Sequence, residues 1–225
     1  MSSEYLRTFG YVLKRTNYAE ADRILNIITP SGKISAIAKG VRREKSKLAG
    51  GIEIFSLVDF NIHFGRGDLG IVTGAKMLKH YSEILKNYER MELASLFLKK
   101  INSVAENSDA KEFFDILGQS LIALNNGYNL KLIEAWFLLN LTRASGEEIN
   151  LYRDINGERL EASKWYDFDK AEGTFFEKEN GEFGVNEIKM LRLMITSDFD
   201  VIRRVKISSE VVVKILQFAK IVSKT

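Results

Sequence analysis

The chain has 225 residues, 45% of them hydrophobic and 28% charged, with 33 Lys+Arg against 30 Asp+Glu and a formal net charge of +3. Such a chain makes one large domain or two small ones, and its composition excludes an intrinsically disordered protein. The absence of cysteine excludes disulfides and thiolate metal sites, and two histidines, His63 and His80, argue against a structural zinc site.

The charge is unevenly spread: residues 1–80 hold 13 Lys+Arg and 7 Asp+Glu, a net of +6, whereas the remaining 145 residues carry −3. The opening Met1-Ser2-Ser3-Glu4-Tyr5 has no apolar leader, and no stretch approaches the roughly 18 apolar residues of a membrane span. The expectation is a soluble, cytoplasmic protein.

In chain order, residues 5–80 read as strands. Tyr5–Thr16 alternates loosely and Arg23–Thr29 is short and β-branched. Pro30-Ser31-Gly32-Lys33 is a turn signal, followed by Ile34–Lys39. In Ile52–Phe64, the apolar Val58, Phe60, Ile62 and Phe64 alternate with Asp59, Asn61 and His63, which predicts one buried face and one wet one. Gly65-Arg66-Gly67-Asp68 then turns the chain into Gly70–Leu78. Five short strands with turns between them fit a small closed barrel of the OB type.

Between the third and fourth strands runs Lys39-Gly40-Val41-Arg42-Arg43-Glu44-Lys45-Ser46-Lys47, with five cations against one acid. A run of this kind is by default a solvated turn. Beside a barrel whose loops and strand faces form a groove, it also suits a phosphodiester backbone. Arg42 and Arg43 would grip phosphates as planar forks, and Lys39, Lys45 and Lys47 as mobile point charges. Arg66, at its own turn, adds to the basic surface. Phe60 and Phe64 are expected in the barrel core, whereas Phe9, Tyr11 and Tyr18 are left unassigned between core and base stacking. Gly65-Arg66-Gly67-Asp68-Leu69-Gly70 satisfies G-x-G-x-x-G, but the strand-like Ile71-Val72-Thr73 follows it, so it reads as a turn and not as a dinucleotide site.

From Lys79 the period becomes helical. Ala94, Phe97, Ile101 and Val104 form a stripe on a helix ending near Asn107. Asp109 and Glu112 at capping-box spacing open the next, which carries Phe113, Leu117, Leu121 and Leu124. Asn129–Ser145 is apolar on nearly every side, as the central helix of a bundle would be. Residues 147–184 interrupt the pattern with the turn dipeptides Asn156-Gly157 and Asn180-Gly181. Helical periodicity returns in Asn186–Thr196 and Ser208–Val222, with Arg203, Arg204 and Lys206 clustered just before the last helix. No catalytic or nucleotide motif is present, and the paired acids Asp198 with Asp200 and Asp167 with Asp169 read as turn and capping groups. The residues therefore favour a binding protein over an enzyme.

Several runs resemble the RecO family of bacterial recombination mediators: Glu20 through Asn26, Thr29-Pro30-Ser31-Gly32-Lys33, Ala38 through Ser46, Lys47-Leu48-Ala49-Gly50 and Gly67-Asp68-Leu69-Gly70. The likeness is specific over roughly residues 5–80 and architectural beyond. It implies an α+β, multidomain protein. Its parts are an OB barrel over residues 1–80 that binds DNA and a helical domain over 81–225, with a hairpin-rich insert at 147–184. It further implies binding of single- and double-stranded DNA, annealing of complementary strands, work with RecR, and help in loading RecA. The acidic tail of single-stranded DNA-binding protein would be engaged, with Arg203, Arg204 and Lys206 as a basic rim on an apolar pocket. Many relatives hold zinc with paired cysteines in the insert. Here Leu151 to Phe183 has none, so no metal or other cofactor is expected, with Trp165, Tyr166, Phe168, Phe175 and Phe176 packing in its place. The competing reading from the residues is an OB-fold protein that binds RNA or serves as a general nucleic-acid scaffold.

Overall fold

The computed structural model describes residues 4–105, 110–147 and 149–223. Its contacts group Met1–Asn126 into one unit and Gly127–Thr225 into a second.

The first unit begins with five strands: β1 (Glu4–Tyr18), β2 (Asp22–Thr29), β3 (Gly32–Ala38), β4 (Ser56–Phe64) and β5 (Gly70–His80). They close into a barrel in the order β1-β2-β3-β5-β4. All neighbours are antiparallel except β3 and β5, which run parallel with Ala36 beside Gly70. Irregularities between Val12 and Lys14 in β1, and between Asn61 and Ile62 in β4, bend the strands as closure requires. The expected alternation holds: Val58, Phe60 and Ile62 are buried with Val12, Leu25, Ile27 and Val72, and Phe64 packs against that core. The fourth strand starts later than the sequence suggests. Phe55 takes a left-handed φ of 56°, is buried, and accepts a 3.0 Å hydrogen bond from the Tyr81 N–H, so residues 52–55 form a kinked entry and not a strand.

Three helices complete this unit: α1 (Ser82–Leu85), α2 (Tyr88–Val104) and α3 (Ala110–Asn125). The Asn87 side chain caps α2 by accepting from the Arg90 N–H at 2.9 Å. Ala94, Phe97 and Ile101 are buried as expected, but Val104 is 38% exposed. The helix ends at Val104, and it is Leu98 and the following Ala105 that turn inward. Phe113, Leu117, Leu121 and Leu124 of α3 are buried, whereas the proposed cap Asp109 lies outside the described residues. Secondary structure changes at His80, but packing continues to Asn126, because α2 and α3 cover the outside of the β1–β2 hairpin. Tyr11 meets Phe114 at 5.0 Å between ring centres, and the Asn26 amide donates to Asn102 Oδ1 at 2.9 Å.

The second unit is built around α4 (Leu130–Ala144), capped by Asn129 and flanked by α5 (Val185–Thr196) and α7 (Ser209–Val222), with the single turn α6 (Phe199–Ile202) between them. Leu132, Ile133 and Ala135 through Thr142 are all buried. The polar Trp136 and Asn140 inside it are satisfied: Trp136 Nε1 donates to the Ser197 carbonyl, and Asn140 Nδ2 to those of Trp136 and Met194, each at 2.9 Å.

In the insert, β6 (Tyr166–Asp169) pairs with β7 (Thr174–Glu177). Asn156-Gly157 and Asn180-Gly181 both lie in turns, but the reversal joining these two strands is at 170–173. There Asp169 Oδ1 accepts from the N–H groups of Ala171 and Glu172. Phe168 and Phe175 pack with Phe183 and with Phe218 of α7. Of the five expected aromatics, Tyr166 and Phe175 are buried, Phe168 and Phe176 are partly buried, and Trp165 is 48% exposed.

Candidate nucleic-acid interface

The cationic segment leaves β3 at the finishing edge of the β2–β3 hairpin. Gly40 takes a φ of 62°, a left-handed turn that suits glycine. Its N–H donates to Asp22 Oδ1 at 2.6 Å, and the Arg42 N–H donates to the Ala21 carbonyl at 2.8 Å. The segment is thus tied by its backbone to the tip of the β1–β2 hairpin. Apolar residues pin it from within: Val41 and Ile52 are buried in the barrel core, and Leu48 packs against it. A short 3-10 turn at Ala49–Gly51 seats the exit against β5, where a Cβ on Gly51 would fall 2.9 Å from the Ala75 carbonyl carbon.

The cations face outward between these pins. Lys39, Arg42, Arg43, Lys45 and Lys47 are all exposed, and none forms an ion pair among the described residues. Three other cations of the barrel are engaged. Arg7 grips Asp59 at 2.6 and 3.2 Å, Arg15 pairs with Glu53 at 2.9 Å, and Lys33 donates to the Asn102 carbonyl at 3.0 Å. The hydrogen bond from Arg7 holds the Asp59 carboxyl below its ordinary range. A free, fixed set of positive charges is what a polyanionic backbone needs.

Arg66 is exposed at the β4–β5 turn but does not join this cluster. Since β3 and β5 are parallel with Ala36 beside Gly70, Arg66 lies toward the starting end of β3 and the basic segment beyond its finishing end. Gly65 to Gly70 is a turn into a strand, as its flanking sequence indicated.

The three uncommitted aromatics divide. Tyr11 is buried, its hydroxyl 3.4 Å from that of Tyr81, and burial pushes both phenols up. Phe9 is half exposed near Phe114, and Tyr18 is 52% exposed at the end of β1. His63 packs edge-on against Tyr5 at 4.5 Å, and His80 is hydrogen-bonded to Ser56 Oγ at 2.7 Å. The lone apolar Val41 within a charged run was a readable sign of an anchored loop. Nothing in the sequence signalled the Asp22–Gly40 tie.

In the second unit, Arg203 and Arg204 both pair with Asp200, and Arg203 lies 5.0 Å over the Tyr128 ring. They are exposed but partly neutralised. Lys206 stands apart from that network on a cleft of about 380 Å³ lined by Met190, Leu193, Val205, Ile207 and Val211, with Lys189 on its rim. Lys189, seventeen positions earlier, was missed because only folding of α5 beside residues 205–211 brings it there.

The insert does not fit zinc. It has no thiolate, and the two acids of its β6 strand are engaged: Asp167 by Lys178 and the Glu182 N–H, Asp169 by its own turn. Among the described residues no group of three or more His, Asp or Glu side chains is placed to hold a metal ion, and no helix is long and apolar enough to cross a membrane.

The family described as Recombination protein O N terminal matches residues 1–81, and Recombination protein O C terminal matches residues 87–220. The chain is similar to a DNA repair protein RecO from Alkaliphilus metalliredigens, 28% identical over 212 residues covering 90% of this chain and 86% of the relative. A DNA repair protein RecO from Dehalococcoides mccartyi is 28% identical over 213 residues, 91% of this chain and 84% of the relative. One from Rubrobacter xylanophilus is 35% identical over 142 residues, 62% and 57%.

Proposed function

The chain belongs to the RecO family of DNA repair proteins, and on that premise we propose that it is a recombination mediator that binds single- and double-stranded DNA and anneals complementary strands. Residues 1–80 supply the DNA-binding part through Lys39, Arg42, Arg43, Lys45 and Lys47, with Arg66 as a separate contact at the other end of the strands. The observation that carries this reading is the set of five exposed cations, unpaired among the described residues and tied to the hairpin by backbone hydrogen bonds. Phosphate contacts of this kind neutralise backbone charge and lower the repulsion between two strands brought together.

Within residues 81–225, the part beyond Asn126 recruits coated DNA. Lys206, with Arg203 and Arg204 just before it in the chain, suits the acidic tail of single-stranded DNA-binding protein, and the adjoining cleft suits its apolar anchors. With RecR the protein then helps RecA load. No step of this scheme breaks or makes a covalent bond, so the protein is read as a non-enzyme acting in the cytoplasm at the nucleoid.

The test is affinity for single strands against salt. Contact with about four or five phosphates gives a log–log slope of about −3 to −3.5. Replacing Arg42, Arg43, Lys45 and Lys47 with Ala should flatten the slope for every sequence alike, and unchanged binding would remove the segment from the scheme. A second arm measures annealing of strands coated by the cognate single-stranded DNA-binding protein, with and without its acidic tail. Equal rates on both would remove the recruiting role. Replacing the DNA by matched RNA separates this reading from a general RNA-binding one.

A further inference from the structure

We propose that Tyr18 is a base-stacking residue that makes the basic segment prefer single strands to duplex. The inference rests on the DNA-binding reading above and gives it a specificity determinant.

The argument is one of placement. Tyr18 ends β1 and pairs directly with Asp22 across a three-residue turn, with Ala19 at a φ of 46°. Side chains of directly opposed residues project to the same face of an antiparallel pair. The Asp22 carboxylate on that face reaches the Gly40 N–H at 2.6 Å, and the adjacent Ala21 carbonyl holds the Arg42 N–H at 2.8 Å. Tyr18 therefore stands beside the two points at which the basic segment is fastened. Tyr18 is 52% exposed, so its face is open to an incoming base. Of its hairpin neighbours, Asn17 accepts from Arg23 Nε at 3.2 Å, and Glu20 is exposed.

Cations alone hold any phosphodiester backbone, single or double. An aromatic face discriminates, because bases in a duplex already stack on one another whereas those of a single strand are free to stack on the protein. With the cations fixed by the backbone next to the ring, a strand whose phosphates lie along Lys39 to Lys47 has a base within reach of Tyr18. The gain is independent of sequence, since every base has a π face.

The experiment compares full-length wild type with Tyr18→Ala, Tyr18→Phe and Tyr18→Trp, using an oligothymidylate and a duplex of matched length. Tyr18→Ala should lower single-strand affinity about 5- to 150-fold, which corresponds to about 1–3 kcal/mol of stacking. Duplex affinity and the salt slope should stay unchanged, because no cation is lost, and Tyr18→Phe should bind as wild type does. Tyr18→Trp should show extra fluorescence quenching on adding oligothymidylate and none on adding duplex, a readout that holds even if the Ala variant misfolds. Equal losses on both substrates, or no loss together with no extra quenching, overturn the proposal while leaving DNA binding intact. Wild-type protein that binds neither substrate at low salt would instead overturn the DNA-binding reading, and this inference with it.

Discussion

Single residues decide whether the basic segment is a surface or merely a tail. Gly51 is the clearest case. Its backbone lies so close to β5 that a methyl group would meet the Ala75 carbonyl carbon at 2.9 Å and its oxygen closer still. Backbone atoms cannot swing aside as the end of a side chain can, so Gly51→Ala must push the 3-10 turn off the barrel. Overpacking of this kind costs about 1–3 kcal/mol, and the melting temperature should fall about 2–4 °C for each of them. Gly50, with open space around it, serves as the control and should tolerate Ala. A Gly51→Ala protein that melts with wild type would show that the segment is not seated there. Other residues were readable from the sequence alone. Phe60 and Phe64 fell inward because alternation is a local property of a strand. The need for glycine at 51 was invisible, because it arises from a strand more than twenty positions away.

At the scale of elements, the insert carries an ion pair of its own. Lys178 and the Glu182 N–H both engage Asp167, and they hold its carboxyl below the ordinary value of 3.8, the lysine hydrogen bond being the larger cause. A group whose folded value is depressed stabilises fully above its unfolded value and ceases to do so as pH falls through the folded one. Asp167→Asn should therefore cost about 0.2–1 kcal/mol at pH 7, the range of an exposed ion pair. The amide oxygen can still accept from Glu182, which limits the loss. Thermal melts from pH 7 down to 3 should show the gap between the two proteins constant above about pH 4 and closing below it. A gap that widens toward acid would assign the effect to something other than this ion pair. The insert also marks where sequence reading runs out. Its two Asn-Gly dipeptides lie in turns as expected, and Asp169, read as a turn acid, accepts from the Ala171 and Glu172 N–H groups in the reversal that joins β6 to β7. Phe183 and Phe218 complete the aromatic cluster from distant positions, and no local period announces them.

At the scale of the molecule, the change of period near residue 80 and the limit of packing do not coincide, and the difference has a measurable consequence. The outer face of the β1–β2 hairpin is closed by helices: Tyr11 is 4% exposed and Ile28 not at all. Phe114 meets Tyr11, Asn102 binds Asn26 and Lys33, and the Tyr81 N–H satisfies the Phe55 carbonyl. A fragment of residues 1–80 keeps every strand of the barrel but uncovers these apolar groups and leaves their polar partners unpaired. Each fully exposed large side chain forfeits about 1.5–3 kcal/mol, against a total stability of only about 5–15 kcal/mol for a typical domain. Residues 1–126 retain all of these contacts. The longer fragment should therefore melt cooperatively and bind single strands with the salt slope of the whole chain, since the cationic segment and its ties lie within it. The shorter one should show a broad, non-cooperative transition and bind a hydrophobic dye. Thermal circular dichroism on the two fragments decides the matter: a sharp melt of 1–80 at the temperature of 1–126 would mean that the helices ride on the barrel without holding it. DNA binding by a cooperatively folded 1–126 would then localise affinity to the barrel unit, so that selection of coated DNA must come from residues 127–225.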